Sequence, residues 1–596
     1  RGGSQTWAID QDPGGRIYFA NNEGLTTFDG TYWRVFQLPN RTIVRSVRVA
    51  DDGKVYVGGQ GEAGYFLPDK TGNLVYYSIR NLVPENSRDF ADVWDIEIVG
   101  DVVFFRITDR ILRLANGSIE VFPAPSEWVF IERMKGRLIA QDKQLGLFQW
   151  SGQQWLPIAN GKISENDLVN GYIPLGQDSL LLVTLYRRDL LLTRDALKPV
   201  SRNVWSLQSE VVSIVPLNEN EYMVGTTGEG CLVVNNKGEW IQRITMTEGL
   251  QDNSIQCLFR DRMGNVWAGL NNGISMIAYN APIKFIKPGS GKELTGYASK
   301  VHDGRLYIAT NDGAYSVGVQ QQMADLGFTK GSFARVPNSY GLAYRFDVIN
   351  QQLLMAHNEG TFVIKGNNAE KLSADPSWTF TPTSNVLPVS RVLVGTYTGL
   401  KWLKYENGRF NVTGNLRGLR ESFRFLAIDN DQKVWASHPY RGIYHLEFLR
   451  DSMQYATQIY TEPDGLPDTL DNHVFRVKNR VVFATAKGVY EFNKENDRFE
   501  PSPLLGPIFG NTPIRYLKED NEGNLWFVSN KTPGLLSFHP EKAPGHSITY
   551  FPEITGQVLS GFEQIFPYDP QNVFMASEKG IILINPKKYF EAREKP

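Results

Sequence analysis

Two short segments stand out for the chemistry their side chains could do: Tyr186-Arg187-Arg188 and His438-Pro439-Tyr440-Arg441. Both occupy turn positions where comparable stretches of the chain use small polar residues. Bulky cations and aromatics at a tight turn cost side-chain entropy without an evident packing return. Departures from a local rule of that kind tend to mark function. A flat aromatic face beside a guanidinium fork suits a polar or anionic sugar. Further aromatic, charged and amide residues sit where short apolar segments begin or turn: Trp7, Arg45, Trp94, Trp128, Asn170, Glu229 and Asn271, then Tyr344, Arg345, Arg424 and His473. The ligand-contact candidates drawn from both groups are Trp7, Arg45, Trp94, Tyr186, Arg187, Glu229, Arg345, Arg424, His438, Tyr440 and Arg441. Each has a plainer reading too, as packing or as a solvated turn.

Catalytic signatures are missing. The sequence holds no Gly-x-Ser-x-Gly elbow, His-Glu-x-x-His, phosphate-binding glycine loop or Cys-x-x-Cys. Its 7 histidines are scattered, which argues against a histidine metal cluster. Asn170, Asn253 and Glu229 could imitate the axial amide and carboxylate ligands of a metal-dependent lactonase, and Asp261 to Trp267 resembles a sialidase Asp-box turn without reproducing it. The expectation is no enzyme activity, no cofactor and no metal. The 2 cysteines, Cys231 and Cys257, allow one disulfide at most and read as buried thiols.

The elements that would position these residues form a repeat. The stretch SIQCLFRDRMGNVWAGLNNGISMIA from Ser254 reads as strand, polar turn with glycine, strand, polar turn with glycine, strand. Similar stretches start at Thr6, Val44 and Ile514, and a fourth strand usually follows, as from Thr31 and from Pro282. Gly24, Gly64, Gly146, Gly230, Gly273, Gly313, Gly360, Gly399, Gly442, Gly488, Gly534 and Gly580 mark the second turn, and two further units around Arg110 and Arg188 lack it. Fourteen units with a period of about 43 residues, each of four short strands, are the signature of propeller blades. One ring of fourteen would leave an unfilled centre. The expected fold is therefore all-β, two tandem seven-bladed β-propellers. The linker-like PGSGKELTG from Pro288 places the N-terminal propeller at 1–287 and the C-terminal one at 288–596.

Composition is compatible with this. Hydrophobic residues make up 41%, enough for packed cores, and the formal net charge of −2 disfavours broad attraction to nucleic acid or an anionic membrane. No run of about 18 apolar residues occurs.

These units resemble the two-component regulator propeller repeats of Bacteroidetes sensor proteins. Gly249, Leu250, Asn253, Asp261, Gly264, Trp267, Gly269 and Gly273 carry the likeness, with partial matches at Gly418, Leu419, Asp429, Trp435, Gly442 and at Gly465, Leu466, Asn472, Gly488. The opening QTWAIDQDPGGRIYFANNEGLTTFDGTYW resembles a branch in which two propellers precede a triple-tyrosine domain, a membrane helix and a signalling output. The resemblance implies a periplasmic, ligand-sensing region of a membrane-bound regulator. The ligand would be a small molecule or oligosaccharide, often carbohydrate-derived. It implies no nucleic acid partner for this region, membrane anchoring only through segments outside this sequence, and leaves a homodimer open. The alternatives are a constitutive protein–protein scaffold and a propeller hydrolase or lyase.

Overall fold

The computed structural model describes residues 5–594, apart from 159–160, 176–178, 186–188, 194–195, 201–208, 280, 290–291, 320–325, 328, 449–453, 540 and 542–544. The chain divides into two compact units, Arg1–Ala281 and Pro282–Pro596. Among the described residues, helix is confined to Gly506–Phe509, Pro586–Glu594 and a few single turns. All else that is regular is antiparallel sheet, mostly four-stranded and connected strand to next strand.

In the first unit the innermost strands are Thr6–Gln11, Val44–Val49, Val93–Val99, Trp128–Met134, Val169–Leu175, Val211–Pro216 and Ile255–Arg260. Each packs on the next, and the last packs back on the first, so the sheets close into a ring of blades. In the second unit the same cycle runs through Gly296–His302, Ala343–Ile349, Ser377–Pro382, Phe425–Ile428, His473–Val477, Tyr516–Glu519 and Ile565–Asp569. We number the blades 1 to 14 by these strands.

The two rings close differently. Ile283–Ile286 pairs antiparallel with Ile581–Ile584, so the last blade of the second unit takes its outer strand from that unit's start. The repeat pattern had given this strand to the seventh unit of the chain. A short strand of three apolar residues and one lysine fits either sheet edge, and only the tertiary structure chooses between them. Blade 7 keeps three strands among the described residues, Ile255–Arg260, Val266–Leu270 and Gly273–Ile277. It is held to blade 1 by side chains: Phe19 lies edge-on to Trp267 at 5.5 Å, and Gln5 Nε2 donates to Asn271 Oδ1 at 2.6 Å.

The repeat residues have local structural work. Asp261 Oδ1 accepts from the Asn265 amide at 2.8 Å, and Asp261 Oδ2 accepts from the Trp267 indole at 3.0 Å. Asp429 with Trp435 and Asp520 with Trp526 repeat the indole bond at 3.2 Å each, and Tyr18 donates to Asp12 at 2.9 Å. One carboxylate thus caps the hairpin turn and satisfies a polar atom of a buried ring. The rings fill the spaces between blades. The second-turn glycine is equally constrained. At Gly360, φ is +143° and a Cβ would lie 1.9 Å from the Ser373 carbonyl oxygen of the fourth strand.

Candidate functional site

One residue per blade controls what the ring presents where its inner strands begin. In blade 1, Thr6 pairs with Asn21 and Ala8 with Ala20, which leaves Trp7 as an extra, bulged residue. The same register shift singles out Arg45, Trp94, Val129, Asn170, Val212 and Gln256 in the first unit. In the second it singles out Tyr297, Tyr344 and Trp378. Counting one residue back from the pairs Phe425–Ser437, His473–Ala484 and Tyr516–Val528, and from Gln564, whose carbonyl accepts from the Ala576 amide, puts Arg424, Asn472, Arg515 and Glu563 at the equivalent position. A bulge re-aims its side chain and is common beside functional sites. We call this set the rim.

In the first unit the rim brings Trp7, Arg45 and Trp94 together. The Arg45 guanidinium carbon lies 4.1 Å from the Trp7 ring centroid and 4.8 Å from that of Trp94, and Arg45 pairs with Asp92 at 3.4 Å. Arg45 Nη1 is buried with no hydrogen-bond partner. Trp7 Nε1 donates to Asn22 Oδ1 at 2.7 Å, which fixes the ring.

In the second unit the rim builds a larger cluster. Trp378 stacks on Tyr397 with centroids 4.4 Å apart and an interplanar angle of 15°. Tyr344 lies 4.4 Å from Trp378 and shares a 2.5 Å hydroxyl–hydroxyl hydrogen bond with Tyr397. Phe562 lies parallel to Tyr344 at 6.0 Å, and Tyr297 meets Phe562 edge-on at 5.2 Å. Arg424 covers this shell: its guanidinium carbon is 4.0 Å from the Phe562 centroid and 5.1 Å from that of Trp378, and its Nη2 donates to the Gly561 carbonyl. Burial lowers the Arg424 pKa from its ordinary value, opposed by the charge of Glu563 and by Tyr344. Trp378 Nε1 donates to Ser422 Oγ at 2.9 Å. Tyr297, Trp378, Tyr397 and Phe562 stay partly exposed. The cluster therefore offers aromatic faces with a fixed cation among them, a combination that binds flat, partly apolar and partly hydroxylated molecules.

Not all the sequence candidates belong to these clusters. Tyr186 and Arg187 lie outside the described residues. Glu229 Oε2 accepts from the Ser209 amide at 3.0 Å, a turn contact. Asn170 Nδ2 donates to the Val211 carbonyl at 2.8 Å, and Asn253 Oδ1 accepts from the Met246 amide at 2.8 Å. The supposed lactonase-like ligands are thus tied to backbone. Arg345, one residue past the rim, pairs with Asp347 at 2.7 Å. His473 stacks on Phe425 at 4.4 Å, and its Nδ1 lies 3.0 Å from the Arg515 carbonyl oxygen. Trp128 sits in the core at 1% exposure.

The His438 turn also has a structural explanation. His438 Nδ1 accepts from the Tyr440 amide at 3.1 Å. His357 receives the Glu359 amide in the same way, and Thr310, Thr396 and Thr485 receive the corresponding amides of other blades through hydroxyls. Glu421 meets His438 Nε2 at 3.2 Å and Arg441 Nη1 at 2.6 Å, which neutralises the turn. Burial still lowers the His438 pKa. Tyr440 alone projects freely, 75% exposed.

Sequence reasoning missed Tyr297, Trp378, Tyr397 and Phe562. Aligning the residue that follows the first paired residue of every inner strand would have found Tyr297 and Trp378. Nothing comparable marks Tyr397, on a second-to-third-strand turn, or Phe562, one residue before a rim position.

Among the described residues, no helix is long and apolar enough to cross a membrane, and no group of His, Cys, Asp and Glu is placed to hold a metal ion. Both cysteines are free.

Residues 249–272 match the two component regulator propeller family, at the repeat whose carboxylate–indole turn is described above. No curated protein matches the sequence significantly. Among solved structures, the chain is similar over 100% of its length to the extracellular domain of the hybrid two component system BT3049 of B. thetaiotaomicron, covering 83% of that chain at 16% identity and TM-score 0.68. The corresponding domain of BT4673 from the same organism is matched over 98% of this chain and 81% of that one, at 15% identity and TM-score 0.41.

Proposed function

We propose that this chain is the extracytoplasmic, periplasmic sensing region of a membrane-bound regulator of the two-component type, and that it binds rather than transforms its ligand. The observation that carries the reading is the rim cluster of the second unit. Partly exposed Trp378 and Tyr397 are stacked and pinned by hydrogen bonds, with Arg424 fixed beside them. Such a preorganised set of ring faces and directed donors fits a carbohydrate-derived ligand. The repeat match at 249–272 supports a signalling context. The amides and carboxylate that could have served a lactonase are already committed to backbone, which favours binding over catalysis.

Calorimetric titration of a glycan panel tests this. A bound glycan should lose at least about tenfold in affinity on Trp378→Ala, about 1.4 kcal/mol, in a variant that still melts cooperatively. A glycan that binds Trp378→Ala and Tyr397→Ala as tightly as the wild type would refute the rim assignment. A second reading, a protein–protein scaffold, is favoured by Tyr32, Trp33, Val35 and Tyr77, exposed large apolar residues at or on the outer strands of blades 1 and 2. Substitutions there would abolish partner capture without touching glycan binding.

A further inference from the structure

Three residues along each inner strand from the rim is a second set of equivalent positions, about 10 Å deeper into the ring. In blades 1 to 4 these are Asp10, Arg48, Glu97 and Glu132. In blades 8, 9 and 13 they are Lys300, Asp347 and Lys518. The ionisable residues at this level are thus mostly acidic in the first unit and mostly lysine in the second. The fold itself requires neither sign, so the charge at this level is a property of each unit separately.

In the first unit the charges are largely answered in place. Arg48 pairs with Glu97 at 2.5 Å, Asp10 accepts from the Val49 and Gln11 amides at 2.8 Å each, and Arg106 pairs with Asp95. In the second unit the lysines are not. Arg345 and Asp347 pair with each other. Glu519 is engaged by Lys478, through its amide at 2.7 Å and its ammonium at 3.7 Å. Glu563 faces Arg424. Neither Lys300 nor Lys518 has a hydrogen bond or ion pair among the described residues; Lys300 Nζ rests 4.4 Å from the Phe566 ring centroid. The inner strands of blades 8, 9 and 13 belong to one closed ring, which sets these positions around a common axis, and Lys518 lies within electrostatic reach of Arg345, Asp347 and Lys300. Crowding by protein pushes both lysine pKa values down; Arg345 lowers both further and Lys300 lowers Lys518, while Asp347 opposes at both and Glu519 at Lys518. Lys518 nevertheless remains exposed. Two ammonium groups without a hydrogen-bonded carboxylate, near an Asp347 already shared with Arg345, leave this level short of negative charge and suit an anion.

We propose that the axis of the second unit is an anion site with Lys300 and Lys518 as its ligands, and that the rim ligand is an acidic saccharide whose carboxylate, sulfate or phosphate group enters it. This rests on the sensing reading for the saccharide and on the lysines alone for the anion.

The test uses the full chain. Sodium sulfate is titrated against sodium chloride at matched ionic strength, with thermal unfolding and calorimetry as readouts, for wild type, the Lys300→Met, Lys518→Met double variant and Lys518→Arg. Removing two unpaired ammonium groups relieves repulsion, so the double variant is expected to fold. Sulfate stabilises most proteins without saturating; the site predicts an added saturable component, lost at least about tenfold in the double variant and retained in Lys518→Arg. In the second arm, uronate- and sulfate-bearing disaccharides are compared with their neutral parents, and the acidic forms should bind at least about tenfold tighter only when both lysines are present. A sulfate response that never saturates, or that is unchanged in the double variant, overturns the anion site. Neutral parents binding as well as acidic forms, with Trp378→Ala still weakening both, overturns the acidic-ligand inference and leaves the sensing reading standing. Saturable, lysine-dependent sulfate binding with no saccharide bound keeps the anion site and refutes the saccharide reading.

Discussion

Replacing Glu132 by Gln should make the first unit more stable in alkaline solution. Glu132 lies on an inner strand at the axial level and has no hydrogen-bond donor among the described residues. Burial, then the neighbouring charge of Glu97, pushes its pKa up to about 8, while Arg48 opposes. Arg48 is already paired with Glu97 and helps only partly. In the unfolded chain the same carboxyl ionises near its ordinary value of 4.5. Between these limits the folded protein binds a proton that the unfolded chain has released, so stability is full below about pH 4.5, falls as pH rises, and levels off above about 8. The shift sets an upper limit of about 5 kcal/mol. Partial access to solvent reduces this to about 2 kcal/mol. Gln keeps the shape and removes the charge. Calorimetric melts at pH 5 and pH 9 should show Glu132→Gln matching the wild type at pH 5 and melting about 4 °C higher at pH 9. A variant that melts lower than wild type at pH 9, or that keeps the wild-type pH slope, would refute the claim that this carboxylate is ionised at a cost.

Three further outcomes follow from the repeat geometry. Asp261→Ala removes the turn cap and strands the Trp267 indole N–H, so denaturant titration should show a loss of about 3 kcal/mol. Gly360→Ala forces a Cβ into the Ser373 carbonyl at a backbone angle that only glycine tolerates; it should unfold blade 9 or cost more than about 3 kcal/mol by the same measurement. His438→Thr should hold stability within about 1 kcal/mol and leave glycan affinity unchanged, because Thr396 and Thr485 cap the equivalent turns; a tenfold loss of affinity with an unchanged melt would restore His438 as a ligand contact.

The fold was legible because its constraints recur. The glycine packed against the fourth strand, the carboxylate under the indole and the short apolar strands recur from blade to blade, so one unit predicts the next. Ring closure was less legible. Ile283–Ile286 is a short, mostly apolar strand that suits either sheet, and the partner strand Ile581–Ile584 lies almost 300 residues away. No local pattern encodes that choice.

The candidate clusters were legible only where composition and position coincided. Trp7, Arg45, Trp94 and Arg424 were conspicuous residue types at strand starts, and the structure gathers them into clusters. His438, Arg441 and Glu229 were conspicuous too, but each answers a local need, an unsatisfied turn amide or a neighbouring charge, that a sequence cannot display. The lysines were invisible for the opposite reason. Lys300 and Lys518 look like ordinary strand lysines until the ring brings blades 8 and 13 to a common axis, where the nearby Asp347 pairs with Arg345 and not with either lysine. A repeat protein hides function in this way. The positions that vary from blade to blade are few, they are set by a one-residue bulge and its offset, and their chemistry exists only as a sum around the ring.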